Sequence, residues 1–138
     1  MSQSSTPVAV VLRIVLFVDG VVFLAAALQN FGLQIPLGFA DLRFPVPIWQ
    51  AGIGEAVIAL TLLVAAGTGR ITLAWVAFWM SVVGIIFGLS SIKVQGPARE
   101  IHLILVPLAV LVFALLLWLR QQRRARTVAP GPPAEGSR

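Results

Sequence analysis

Four long runs of apolar residues, separated by polar or turn-forming segments, dominate the pattern of the chain. The runs are 8–29, 47–66, 71–92 and 100–119. Each run has roughly the 20 residues that an α-helix needs to cross the hydrocarbon core of a bilayer. Turn residues precede the later runs, with Gly67-Thr68-Gly69 before the third and Gly96-Pro97 before the fourth. The pattern predicts an all-α fold, an integral membrane four-helix bundle with up-down-up-down topology and both termini on one side.

Two segments outside these runs complete the predicted organisation. Residues 30–46 alternate apolar and turn-forming residues and form a linker at the outer end, as a plain cover or as a lid over a site. Residues 127–138 are rich in Pro, Gly and Ala and have little that can pack, which predicts a disordered cytoplasmic tail. Residues 1–126 are then a single four-span transmembrane domain.

The arginines predict the orientation. The side that holds both termini would carry Arg13, Arg70, Arg120, Arg123, Arg124, Arg126 and Arg138, whereas the other side would carry Arg43, Lys93 and Arg99. Because basic residues are concentrated on the cytoplasmic side of membrane proteins, both termini should be cytoplasmic. The nine arginines against one lysine suggest a GC-rich genome. We therefore expect the plasma membrane of a bacterium.

Composition narrows the classes of function. The chain is 59% hydrophobic and 11% charged, its mean hydropathy is +0.98, and a soluble domain would be about 25% charged. The lipid bilayer is therefore the predicted partner. The net charge of +5 is concentrated in 119–126, directly after the last run. This position favours anchoring at an anionic membrane surface and argues against nucleic acid. With no cysteine and a single histidine, the chain should hold no metal or other cofactor alone.

Two carboxyl groups lie deep in the predicted spans. Asp19 is about eleven residues into the first span and Glu55 about eight into the second, roughly 16 and 12 Å at the rise of a helix. An ionised carboxyl near the bilayer centre costs about 2.5–3.5 kcal/mol, so both are candidates for a functional site. If they face each other, Asp19 and Glu55 share a proton and form one buried polar site. The structural alternative is that each carboxyl only hydrogen-bonds a neighbouring helix.

Further polar residues cluster at the outer ends of the spans. The candidates that could contribute to the buried site are Gln50, Lys93, Arg99 and His102. Together they would line an outer vestibule with Glu55 and Asp19 at its floor. His102 could carry protons there, or it could be a solvated ring with no such role.

Small residues predict where helices approach closely. In lipid the hydrophobic effect does not drive helices together, so association depends on close van der Waals packing, which small residues allow. Gly84 and Gly88 form a GxxxG pair on the third span, and Gly52 and Gly54 precede Glu55 on the second. The GxxxG pair could serve the internal bundle, a homodimer contact, or a contact in a larger membrane complex.

About half of the chain resembles the DoxX-like superfamily of small four-helix membrane proteins. In 51–75, the features shared with that family's second helix and following turn are Gly52, Gly54, Glu55 and Thr68-Gly69-Arg70. The first span, with Arg13, Gly20 and Phe23, is similar to the family's opening helix. Asp19 and the stretch 99–107 depart from the pattern. The resemblance implies association with membrane redox complexes, and in some members of the family a role as a subunit that passes electrons to quinone. Glu55 is the one residue of this chain to which a functional position of the family would be transferred.

Three functions remain open at this point. The first is an accessory or quinone-linked subunit of a membrane redox system, which needs an apolar cleft open to lipid beside a polar pocket. The second is a proton-coupled small-molecule transporter using Asp19 and Glu55, which needs a water path to them. The third is a structural protein without chemistry, in which neighbouring side chains satisfy both acids. No catalytic residue can be assigned, so the sequence does not indicate an enzyme.

Overall fold

Four α-helices make up almost all of the chain that the computed structural model describes, which is residues 6–33, 49–90 and 97–128. The helices are α1 (Pro7–Asn30), α2 (Trp49–Thr68), α3 (Ile71–Ser90) and α4 (Pro97–Val128). All four contain a stretch long and apolar enough to cross a membrane. The predicted all-α bundle is therefore confirmed. The linker, apart from its first residues, and the tail from 129 onward lie outside the described residues.

The helices run up, down, up and down. The start of α1 contacts the end of α2 through Arg13, and the end of α1 contacts the start of α2 through Asn30. α1 also packs against α4, and α3 packs against both α2 and α4. α1 therefore begins and α4 ends at the same end of the bundle. We call it the basic end, after Arg13, Arg70 and Arg120, and the opposite end the amide end, after Gln29 and Asn30.

Large apolar side chains fill the centre of the bundle. The largest of those that are almost fully buried are Phe23, Leu16, Leu62, Leu105 and Leu116. Many other large apolar side chains face outward, including Phe17 at 56% exposed and Phe87 at 67% exposed. This outward face is the surface that lipid covers in a membrane-spanning bundle.

Glycines set the closest helix contacts. A Cβ atom on Gly20 would lie 2.9 Å from Leu63 Cγ, and one on Gly84 would lie 2.6 Å from Ile58 Cδ1. Gly84 therefore packs against another helix of the same chain. This favours a role of the GxxxG pair in packing within the bundle over a role in a homodimer contact. A Cβ atom on Gly52 would lie 2.8 Å from Phe31 Cε1, whereas one on Gly54 would meet nothing within 4 Å. Of these two glycines, Gly52 alone serves the predicted close approach.

The first helix stops in a Schellman motif just after Asn30. Gly32 takes a φ of 90°, in the left-handed region that favours glycine. Its N–H donates to Gln29 O at 2.8 Å, and the N–H of Leu33 donates to Leu28 O at 3.0 Å. The motif holds Phe31 against Trp49, with ring centroids 5.4 Å apart. The end of α1 is thereby fixed beside the start of α2.

Arg13 caps the last turn of α2 at the basic end. Its Nε donates to Ala66 O at 2.7 Å and its Nη2 donates to Gly67 O at 3.0 Å. Both carbonyls belong to the final turn, where no further turn of the helix supplies donors and where a positive charge is favourable.

We expect Arg13→Met to lower the free energy of unfolding by about 1 kcal/mol, because it removes both donors but keeps an apolar stem. Arg70→Met is the matched control, since it removes one exposed positive charge from the same end. Reversible unfolding in mixed micelles, followed by far-UV circular dichroism, measures the difference. Equal effects of the two substitutions would show that only the charge matters.

Candidate functional site

Asp19 lies in the middle of the bundle and bonds across it. Its side chain is 1% exposed, and Ser81 Oγ of α3 donates to its Oδ2 at 3.3 Å. This is a long hydrogen bond for two oxygen atoms. Asp19 Oδ1 has no hydrogen-bond partner among the described residues. Such burial keeps ligands from reaching Asp19. Its hydrogen bond to Ser81 is therefore a structural contact between α1 and α3.

Glu55 lies nearer the amide end and is only half-buried. Asn30 Nδ2 of α1 donates to its Oε2 at 2.6 Å. The close approach of α1 and α2 at Gly52 makes this bond possible, since a Cβ atom there would be 3.2 Å from Asn30 Cβ. Unlike Asp19, Glu55 is accessible from outside the bundle.

The structure does not bring the two carboxyls together. They bond different residues, and Gly20, next to Asp19, packs against Leu63 of α2. Leu63 is eight residues from Glu55, which is about 12 Å along the helix axis. The condition for a shared proton, that the two carboxyls face each other, is therefore not met, and each carboxyl belongs to a separate hydrogen-bonded pair. The antiparallel register of α1 and α2 is the physical reason.

Two buried amide side chains end α1 at the amide end. Gln29 is 4% exposed and Asn30 is 2% exposed. Within the described ranges, neither Gln29 Nε2, Gln29 Oε1 nor Asn30 Oδ1 has a hydrogen-bond partner. Burying a polar group without a partner costs about 1–3 kcal/mol. These amide atoms are nearly as enclosed as Asp19, so Glu55 is the group of its pair with Asn30 that a ligand can reach.

The predicted contributors fall outside this arrangement or outside the described side chains. Gln50 is exposed, and no hydrogen bond joins it to Glu55. Lys93 and the side chains of Arg99 and His102 lie outside the described residues. Within the part of the chain that is described, no three of the residues His, Cys, Asp and Glu are grouped so that they could hold a metal ion.

Asn30 and Ser81 are the partners that the predicted site omitted. Asn30 is eleven residues after Asp19, which is about three helical turns, so both lie on the buried face of α1. Ser81 stands out as a polar residue in the middle of the apolar α3. The signal for Asn30 was its helical spacing from Asp19, and the signal for Ser81 was its position inside an apolar span. The sequence alone does not give the register between helices, so it does not pair either residue with its acid.

A groove of about 320 Å³ lies between α3 and α4 and opens to the outside of the bundle, and neither Asp19 nor Glu55 is among the residues that line it. Its lining is entirely hydrophobic and includes Trp79, Val82, Val106 and Val110. Among the described residues, the lining has no carboxyl or amide, so the groove suits a hydrocarbon chain more than a polar head group. It is therefore not the apolar cleft beside a polar pocket that was expected of a quinone-linked subunit.

Comparisons of the chain with protein families, with curated proteins and with solved structures find no match. The class of the protein therefore follows from the fold alone. Four apolar helices packed into a bundle, with large side chains facing outward, define a small multi-pass membrane protein.

Proposed function

We propose that this protein is an accessory subunit of a membrane redox system, in which Glu55 binds the head group of a quinone or quinol. The observation that carries the proposal is the half-buried Glu55 carboxyl, held by Asn30 beside amide atoms that have no partner among the described residues. A head group that carries a hydroxyl can donate a hydrogen bond to the accessible Glu55 carboxylate.

Each residue has a distinct part in the proposed binding. The Glu55 carboxylate, which is accessible from outside the bundle, accepts a hydrogen bond from a quinol hydroxyl. Asn30 holds the Glu55 carboxylate in position through its 2.6 Å bond. The chain binds and orients the molecule, and a partner protein carries the electrons.

The resemblance of 51–75 to the DoxX-like superfamily supports the same proposal, because Glu55 is the position it carries over. The excess of arginine at the basic end supports cytoplasmic termini. The use of nine arginines against one lysine supports a bacterial source and hence a bacterial plasma membrane. In that orientation, the Glu55 pair faces the outer half of the bilayer.

We expect Glu55→Gln to bind a short-chain ubiquinol about tenfold more weakly than the wild type, because it replaces a charge-assisted hydrogen bond by a neutral one. The glutamine oxygen can still accept from Asn30, so the fold should persist. Quenching of tryptophan fluorescence, with full-length protein in nanodiscs, measures the affinity.

Asp19→Asn is the matched control for this experiment. It also neutralises one membrane carboxyl, but Asp19 is 1% exposed and cannot touch the ligand. Its affinity should equal that of the wild type. Equal affinities of the wild type and Glu55→Gln, or the absence of saturable binding, would reduce Glu55 to a contact between helices.

A further inference from the structure

The groove between α3 and α4 has a shape and a position that favour a single hydrocarbon chain. It is open along one side and lined by apolar residues between Phe78 and Ile86 of α3 and between Val106 and Phe113 of α4. Toward the basic end, the ring of Phe113 fills the space between the helices. Its centroid lies 5.5 Å from that of Phe78 and 6.1 Å from that of Trp75. A chain from the basic end must therefore pass over Phe113, which is 39% exposed.

The face of α4 that lines the groove leads to Arg120. At about 100° per residue, Arg120 lies two turns beyond Phe113 and within about 20° of the same side. It is exposed, and α4 continues as an unbroken helix to Val128. The groove and Arg120 therefore lie along the same side of α4.

The distances along this side of α4 match a phospholipid. Phe113 is about 10 Å and Val106 about 21 Å from Arg120 along the helix axis. One leaflet of the hydrocarbon core is about 15 Å thick. A lipid whose phosphate lies at Arg120 thus places the end of an acyl chain in the groove.

We propose that this side of α4 is a binding site for an anionic phospholipid, with the phosphate at Arg120 and one acyl chain in the groove. Charge complementarity selects an anionic lipid, because Arg120 lies within the cluster 119–126, and the chain has a net charge of +5. The site is independent of Glu55, which lies on α2 toward the amide end.

Native mass spectrometry of the full-length, delipidated protein tests the head group. Phosphatidylglycerol and phosphatidylcholine with identical acyl chains are the probes. The wild type should prefer phosphatidylglycerol, and Arg120→Gln should lower that preference about fivefold, the effect of one arginine near an anionic lipid surface. Arg123→Gln is the matched control, because Arg123 lies about 80° around the helix from Phe113, and it should lower the preference clearly less than Arg120→Gln does. Equal losses in both variants would overturn the site in favour of diffuse attraction.

A second pair of variants tests the groove. Val110→Trp fills it and should abolish the preference, whereas Leu111→Trp adds the same side chain about 100° around the helix and should have no effect. Equal binding by these two variants would overturn the proposal, as would equal competition by glycerol 3-phosphate, which has no acyl chain. The wild type could also form a dimer and show no lipid preference. If Val110→Trp abolished that dimer, the proposal would be overturned and the groove would be assigned to contact with a second copy of the chain.

Discussion

Phe23→Ala is expected to lower the free energy of unfolding by about 2–3 kcal/mol. Phe23 is 1% exposed and is among the largest fully buried side chains. Its ring fills the space that Gly84 leaves on α3, since a Cβ atom on Gly84 would lie 3.2 Å from Phe23 Cε1. In a bilayer, the unfolded helices are already in an apolar solvent, so the expected cost comes from the cavity and the lost packing.

Phe17→Ala is the control for this prediction. Phe17 lies on the same helix but is 56% exposed toward lipid. Lipid chains can fill the space that its ring leaves, so we expect a change of at most about 0.5 kcal/mol. Reversible unfolding in mixed micelles measures both variants. Similar losses for Phe17 and Phe23 would mean that the described core does not hold the bundle together.

Gly84→Leu is expected to destabilise the bundle by about 3 kcal/mol, at the upper end of the range for overpacking. The Cβ atom alone would lie 2.6 Å from Ile58 Cδ1. Leucine adds three further carbons at the meeting point of α1, α2 and α3. Alanine should cost less, because the end of the Ile58 side chain can turn away.

Val83→Leu is the neighbouring control, since Val83 is 65% exposed and faces lipid. It should leave the free energy of unfolding within about 0.5 kcal/mol of the wild type. The oligomeric state of Gly84→Leu in mild detergent is a second readout. If the wild type were a dimer and Gly84→Leu a stable monomer, Gly84 would belong to a contact between copies of the chain.

The four helices could be predicted from the sequence because membrane spans depend on local composition. A run of about 20 apolar residues satisfies every backbone group internally as a helix, whatever its neighbours are. The observed bounds differ from the predicted spans by three residues or fewer, except at the end of α4. There the helix continues through the basic cluster to Val128, because arginine, glutamine and alanine are good helix formers in water as well.

The candidate site could be predicted only in part, because it depends on register between helices. The depth of Asp19 and of Glu55 follows from counting residues, but their partners do not. A shift of one turn between α1 and α2 would separate Asn30 from Glu55, and no local pattern fixes that shift. It is fixed by close contacts such as Gly20 on Leu63 and Gly52 on Phe31, which involve residues more than 20 positions apart.

The two hydrogen-bonded carboxyls also imply an order of assembly. A chain made from its N-terminus completes the α1–α2 hairpin first, with Arg13 closing one end and Asn30 bonding Glu55 near the other. Asp19 bonds Ser81, which is 62 residues later in the chain. Until α3 enters the membrane, that hydrogen bond cannot form, and the hairpin presents a polar group near its middle. The hydrogen bond with Ser81 then favours one register of α3 along α1. The buried acid thereby helps to align the second half of the bundle with the first.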